Sequence, residues 1–416
     1  MVLKNSTYHF AKKIWTRLPI PGPTRRVFES FFRYPRIAEA ENKLPSYHSG
    51  SPIISGFLQS GLGIGQAARL EVTTLRDAGI VPYLRDVSMN FGMRNLEEDQ
   101  FLDSEGEPPN GPLLLHVNAP QSGYALKYLA STCVMRRPII GIWAWELEQP
   151  PLDWHKAYKY FDELWLPSRH AAKAFKNDCP VPLKVVHHPL RALPTKNFSK
   201  RDLSVDSDTC IFLCMADGRS DLGRKNISGI ISAFLEALGR DEKCVLLVKL
   251  HHITEPELLK LYQQIGPAKN VRIIKGVFDL ACTADLMRCC DVFISLHRAE
   301  GFGLALAEAM MLGKAVVATG YSGNMEFMNQ DNSQLVDFDL IPVESSSYEY
   351  SMTPNAIWAE PKLEMAASKI RYLAQDVSLR HELGQKAKKS VAKTLDPANF
   401  VSAYQDTCGR LCEPLR

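Results

Sequence analysis

No uninterrupted apolar stretch in this 416-residue chain approaches the roughly 18 residues that cross a bilayer. Residues 1 to 20 also lack the apolar core and small-residue cleavage site of a secretory leader, so a cytoplasmic location is the expectation. Cys-x-x-Cys pairs are missing among the ten cysteines, which removes the usual zinc and redox frameworks. Cys210, Cys214, Cys244, Cys289 and Cys290 instead lie inside apolar runs, where a reduced cysteine behaves as a small core residue. The pairs His187-His188 and His251-His252 have no partners at metal-ligand spacing and each ends an apolar run; they read as strand-end residues, and no metal is expected. Neither charge sign is in excess. With 49 Lys and Arg against 46 Asp and Glu, a formal net charge of +3, no nucleic-acid partner is expected.

What remains is ordinary globular composition, 45% apolar and 23% charged, in a chain longer than one hydrophobic core supports, so two domains are expected. The charge is unevenly placed. Residues 1–45 hold nine Lys or Arg against three Glu, a net +6, interleaved with Phe10, Ile14, Trp15, Phe28, Phe31, Phe32 and Tyr34. That mixture suits a segment resting on the anionic inner face of a cell membrane; an extension packed on the domains is the plainer alternative. From Pro52 short apolar runs alternate with helical patterns, as in a parallel α/β architecture. Strands are expected at 53–57, 80–84, 113–117, 139–144, 163–166 and 184–186, with an amphipathic helix at 64–78. After a polar stretch rich in Pro, Lys and Ser, a second series follows at 210–215, 245–250, 271–274, 292–296 and 315–319, joined by helices at 227–238, 255–265 and 304–312. The resulting division is an extension at 1–45, a first domain at 46–190, a linker at 191–208 and a second domain with terminal helices at 209–416.

The strongest chemical signal lies in the second series, where Glu300-Gly301-Phe302-Gly303-Leu304 opens a helix that carries Glu308 and stops at Gly313. A glycine turn before a helix N-terminus leaves backbone N–H groups free for an anion or a sugar hydroxyl. Helical side chains lean toward the N-terminus, so Glu308 is expected to point back at the pocket that Glu300 borders. Two carboxylates there repel phosphate but accept hydrogen bonds from ribose and hexose hydroxyls. A second motif, Asp217-Gly218-Arg219-Ser220-Asp221-Leu222-Gly223-Arg224-Lys225-Asn226, sits in the loop after the 210–215 strand, where such folds bind ligands. Fixed cations there suit a departing diphosphate without any metal. In the first domain, the turn at Ser60-Gly61-Leu62-Gly63-Ile64-Gly65 lets a ligand approach the backbone. It carries neither a Walker loop nor the Gly-x-Gly-x-x-Gly spacing of dinucleotide enzymes.

Glu300 and Glu308, with seven residues between them, resemble the Glu-x7-Glu motif of retaining glycosyltransferases of family 4. The stretches running on to Thr319 and from Tyr321 to Glu326 are similar to that family as well, over roughly residues 50 to 400. The resemblance implies the GT-B fold, an α/β architecture of two Rossmann-like domains facing each other across a cleft. It also implies that Glu308 binds the donor ribose, that Glu300 lies beside the transferred sugar, and that the Gly301, Phe302, Gly303 and Leu304 backbone contacts the donor. Lys225 aligns with the family lysine that holds the donor diphosphate. For its arginine partner, Arg219 follows a glycine as in the family but lies one residue too far from Lys225, while Arg224 belongs to an Arg-Lys-Asn form found in a subgroup. Gly63 faces the donor phosphates or the acceptor by the same implication. A family histidine of the first domain corresponds to Asn118, with His116 two residues earlier, and these with Glu146 are the acceptor-side candidates. Trp143, Trp145 and Trp165 lie in stretches similar to enzymes of bacterial cell-surface polysaccharides, including O-antigen; they line an acceptor site or fill a core.

The expected activity is therefore retaining, metal-independent transfer of a hexose, mannose being one case, from a nucleotide-diphosphate sugar to a glycan or polyprenyl-linked glycan acceptor. No cofactor beyond that donor is expected. A catalytically silent sugar-nucleotide or glycan-binding protein and a sugar-nucleotide epimerase on the same fold are the competing readings.

Overall fold

The computed structural model describes residues 50–412, apart from 97, 130, 135, 136, 240 and 346. The basic aromatic segment at 1–45 lies outside the described residues. Two six-stranded parallel sheets organise the rest. The first has the order β2-β1-β3-β4-β5-β6, from β1 (Ile53–Gly56), β2 (Tyr83–Asp86), β3 (Leu113–His116), β4 (Ile139–Ile142), β5 (Glu163–Leu166) and β6 (Leu183–Val185). The second has the order β12-β11-β10-β7-β8-β9, from β7 (Cys210–Asp217), β8 (Cys244–His251), β9 (Val271–Lys275), β10 (Val292–Ser295), β11 (Ala315–Thr319) and β12 (Gln334–Val336). The central strands are near-continuous apolar runs because helices cover both faces of each sheet. In both sheets the strand order reverses beside the first strand, between β1 and β3 and between β7 and β10. Loops leaving the carboxyl ends of those strands border the cleft, the position where open α/β sheets take ligands.

Local chemistry fixes the helix starts that matter. The helix Gly63–Asp77 follows β1 through a turn in which Gly65 has no room for a side chain: a Cβ there would stand 2.4 Å from the Phe57 carbonyl oxygen. Gly63, by contrast, faces open space. The helix Ile227–Leu238 starts at Asn226, whose side chain accepts a hydrogen bond from the Gly229 N–H at 3.1 Å. The helix Leu304–Met311 starts at Gly303, whose φ of 92° is readily adopted only by glycine.

Two features depart from the expected division. An antiparallel hairpin, β13 (Phe338–Pro342) with β14 (Ile357–Pro361), leaves the second sheet and packs on the first domain. Its Tyr350 ring meets Trp145 at 5.7 Å, and Trp358 joins the same cluster. The last helix, Pro397–Cys412, returns to the first sheet, where Phe400, Tyr404 and Cys408 pack with Ile54, Leu58 and Trp165. The last helix, although it follows residue 209 in the chain, thus adds to the core around the first sheet. None of the nine described cysteines forms a disulfide.

The three tryptophans weighed in the sequence as acceptor-site or core residues are buried. Trp143, Trp145 and Trp165 are buried, Trp143 among Trp154, Tyr158, Phe161 and Phe175, and Trp165 against Phe400 with its N–H donating to Glu163 at 2.8 Å.

Candidate active site in the interdomain cleft

Arg224 and Lys225 lie on a single helical turn, Leu222–Lys225, bracketed by two left-handed non-glycine residues, Asp221 and Asn226. Both are residue types whose short polar side chains offset that conformation by bonding locally. Asp221 accepts from the Arg224 N–H at 2.9 Å, as Asn226 does for the following helix. The turn is held from the far side by Arg298, whose backbone N–H donates to the Arg224 carbonyl at 2.8 Å and whose guanidinium pairs with Glu360. Only 4% of Arg224 is exposed. Its guanidinium donates to the Ala299 carbonyl at 2.7 Å and to the Ser220 carbonyl at 3.1 Å, and it lies 3.2 Å from Glu300 and 3.6 Å from Glu146 across the cleft.

Glu300 is the centre of this cluster. Lys225 Nζ stands 2.5 Å from its Oε1. Its backbone N–H donates to the Ser322 hydroxyl at 2.8 Å and its carbonyl accepts from the Gly323 N–H at 2.9 Å, so the loop from Tyr321 onward fixes where the carboxylate hangs. Burial pushes the Glu300 carboxyl up, but the adjacent Lys225 ammonium and Arg224 guanidinium outweigh it and hold the group down at about 2. It is an anion at any neutral pH. Burial likewise pushes the Glu146 carboxyl up, offset in part by Arg224.

Glu308 occupies different surroundings. It lines a cavity of about 200 Å³ between the domains, with Gly61, Gly63, Gln66 and Arg69 on one side and Lys249, His251, Phe278 and Leu304 on the other. Glu300 is not part of that lining. Here burial dominates: only the Gln66 amide and the Arg69 charge oppose it, and the Glu308 carboxyl is pushed up to about 7. Opposite it, burial pulls the Lys249 ammonium down to about 8 despite the nearby Asp217.

The remaining sequence candidates separate. Arg219 is turned onto Asp217, bonding it at 2.7 to 3.2 Å, apart from the Glu300 cluster. Asp217 also meets His251 at 3.0 Å and His252 at 3.2 Å. Among the described residues this is the one His and acid group close enough to hold a metal ion, and the Arg219 guanidinium already occupies the carboxylate. His116 is fully buried, its Nε2 3.1 Å from Glu71, which also meets His188 at 3.3 Å; as a buried partner of a carboxylate it presents nothing to an acceptor. Asn118 accepts from the Ala144 N–H at 2.8 Å and so braces the loop carrying Trp145 and Glu146. Phe302 packs against His188 and Phe327, leaving its backbone and Gly303 at the helix start.

Several residues that hold the site gave no signal of their own. The Ser168 hydroxyl donates to the Gly301 carbonyl at 2.6 Å across the cleft, and a Cβ on Gly301 would stand 2.9 Å from the Trp145 carbonyl oxygen. Arg169 pairs with Glu326 at 2.9 Å, where His187 also approaches. His297 bonds Asn324 and the Tyr321 carbonyl, each at 3.1 Å, beneath the Glu300 loop. These contacts join elements more than twenty residues apart, which no local spacing displays.

Residues 197–390 match the family model of glycosyl transferases group 1, a little under half of the chain. A comparison with curated proteins gives no match. Among solved structures, the chain is similar to Anabaena HepE in complex with UDP and glucose, with a TM-score of 0.58 and 14% identity over 87% of this chain and 100% of that one. A glycosyltransferase from Rickettsia africae gives 0.58 and 14% over 88% and 99%. S. aureus TarM, in a complex that contains UDP, gives 0.53 and 11% over 71% of this chain and 55% of that one. At these identities the likeness establishes the fold: two Rossmann-like domains in the GT-B arrangement.

Proposed function

We propose that the chain is a glycosyltransferase that moves a hexose from a nucleotide-diphosphate sugar to a glycan or polyprenyl-linked glycan, retaining the anomeric configuration and needing no metal. The observation that carries this reading is the convergence, in a cleft between two parallel sheets, of the Arg224-Lys225 pair on Glu300 beside the Glu308 cavity. The match to glycosyl transferases group 1 over the half that bears these residues supports it. So do the UDP complexes of the structurally similar proteins.

In this reading Glu308 accepts from the donor ribose and Gly63 gives the phosphates access. Arg224 and Lys225 exchange part of their contact with Glu300 for the diphosphate, whose bond to the anomeric carbon breaks as negative charge gathers on its oxygens. Two cations fixed in advance stabilise that charge without reorganising. Glu300, an anion throughout, opposes the positive charge developing at the anomeric carbon and cannot act as a proton donor at neutral pH. Glu146 is placed for the acceptor side. The basic segment 1–45 is proposed to hold the enzyme at an anionic inner membrane face.

The test is to incubate the protein with a panel of nucleotide sugars and a polyprenyl-linked glycan. Nucleoside diphosphate release and the anomeric configuration of the product are then measured by NMR. Release coupled to an α-configured product from an α-linked donor supports the proposal. A parent protein that neither releases diphosphate nor is thermally stabilised by any donor overturns it.

A further inference from the structure

Lys249 interrupts an otherwise apolar strand. In β8 it follows Leu246, Leu247 and Val248, and only 4% of it is exposed. Its register partners are Met215 on β7 and Ile274 on β9, so its side chain leaves the sheet on the face where those two pack. That face borders the cavity that Glu308 also lines. Around the lysine the wall is apolar, built from Met215, Val277, Phe278, Leu280 and Leu304.

A buried ammonium is costly unless its three hydrogens find acceptors and its charge finds a partner. Lys249 donates to His251 Nδ1 at 3.2 Å, the nitrogen left to accept because Nε2 of the same ring faces Asp217 at 3.0 Å. Asp217 is itself taken up by Arg219, His251 and His252, and among the described residues no carboxylate stands within ion-pair distance of Lys249. The Phe278 ring, its centroid 5.0 Å from Nζ, offers the charge an aromatic face and no lone pair. Burial lowers the ammonium only to about 8, so it stays charged at neutral pH. Glu308 lines the same cavity without reaching Lys249, so a ligand filling the cavity meets an acceptor in one place and a donor in another. The apolar wall beside the donor suits a flat ring and not a diphosphate, whose proposed partners Arg224 and Lys225 do not line this cavity.

We propose that Lys249 selects the donor base: its ammonium donates to an exocyclic carbonyl, so that the site takes an oxo base, uracil or guanine in kind. An ammonium has donors only, so cytosine and adenine, which carry an amino group at the same place, would set N–H against N–H. The inference rests on the donor reading, with Glu308 on the ribose, and adds to it which nucleotides can carry the sugar.

The experiment measures binding of UDP, GDP, CDP and ADP to the parent, Lys249→Met and Lys249→Gln by calorimetry, with thermal unfolding as a check on folding. Methionine fills the space of the lysine without a donor, and the glutamine amide can turn either way to meet either kind of base. The parent should bind UDP or GDP at least about tenfold more tightly than both CDP and ADP, the scale of one charge-assisted hydrogen bond. In both variants that advantage should fall to within about threefold, through weaker binding of the oxo nucleotide. A parent that favours neither oxo nucleotide by more than about threefold, or a preference that survives in either folded variant, overturns the role of Lys249 and leaves the donor reading standing. A parent that binds none of the four overturns the two together.

Discussion

Lys225 and Glu300, 75 residues apart in the chain, form the closest ion pair of the cleft, at 2.5 Å. Arg224 approaches the same Glu300 oxygen at 3.2 Å, so two cations share one carboxylate oxygen. The arrangement holds both cations in place while leaving each less than fully neutralised, as the proposed diphosphate site requires.

Removing Lys225 should therefore act on chemistry more than on folding. Lys225→Ala is expected to lower turnover at saturating donor by about two to three orders of magnitude, the scale of one preorganised stabiliser of transition-state charge. The Glu300 carboxylate keeps Arg224, so the thermal unfolding midpoint should change little. Near-normal turnover of the folded variant would remove Lys225 from the mechanism.

The two arginines should part company. Arg224→Ala deletes a buried guanidinium bonded to Ala299 and Ser220, leaves Glu300 with Lys225 alone and takes away the cation paired with Glu146. It should cost roughly 2–4 kcal/mol of stability as well as turnover. Arg219→Ala breaks a partly exposed pair with Asp217 and should cost about 1 kcal/mol or less. Denaturant unfolding and initial rates for both variants decide which arginine serves the diphosphate; comparable loss of turnover in Arg219→Ala would speak for it.

The glutamates differ by role. Glu308→Gln should mainly weaken donor binding, by roughly 1.5–3 kcal/mol, the worth of a charge-assisted hydrogen bond. Glu300→Gln should reduce turnover more than affinity, because the charge it opposes exists only in the transition state. Donor affinity and single-turnover rate, measured separately for each variant, check this. If both variants stay within twofold of the parent in both quantities, the site is elsewhere.

Stability should carry the signature of Glu308. Its carboxyl is pushed up from about 4.5 to about 7, so in that window the folded chain holds a proton that the unfolded chain has lost. The sign follows: the group favours the native state below about 4.5, and that advantage disappears as pH rises through 7. Relative to Glu308→Gln, the parent free of nucleotide should lose on the order of 2 kcal/mol between pH 5 and pH 8, read from urea unfolding. A pH-independent difference would mean that the carboxyl titrates normally.

Much of this site was legible in the sequence because its parts are local. Glu300 and Glu308 flank a turn that only Gly303 can make, and the turn bearing Lys225 is marked by the Asn226 that starts the next helix. The helices Ile227–Leu238 and Glu255–Ile265 and the strands β5 and β11 fall where their apolar periods end. The β13–β14 hairpin escaped because Asp339 and Leu340 are exposed and its buried residues serve another domain's core. Spacing could place Arg219 and Arg224 in one loop, but only the fold distinguishes a guanidinium turned onto Asp217 from one buried against Ala299 and Glu300. His116 misled because strand position does not reveal that Glu71, a turn along a neighbouring helix, has already taken it.

The return of the helix Pro397–Cys412 to the first sheet means that the polypeptide crosses between the domains twice, after β6 and again near Leu395. Two crossings tie the halves to each other at separate points along the chain. They also make the domains interdependent as folding units. A fragment ending at the linker would present the places of Phe400 and Tyr404 on Ile54 and Trp165 as bare apolar surface, and loss of the chain from Pro397 onward would wound the half of the protein that was synthesised first.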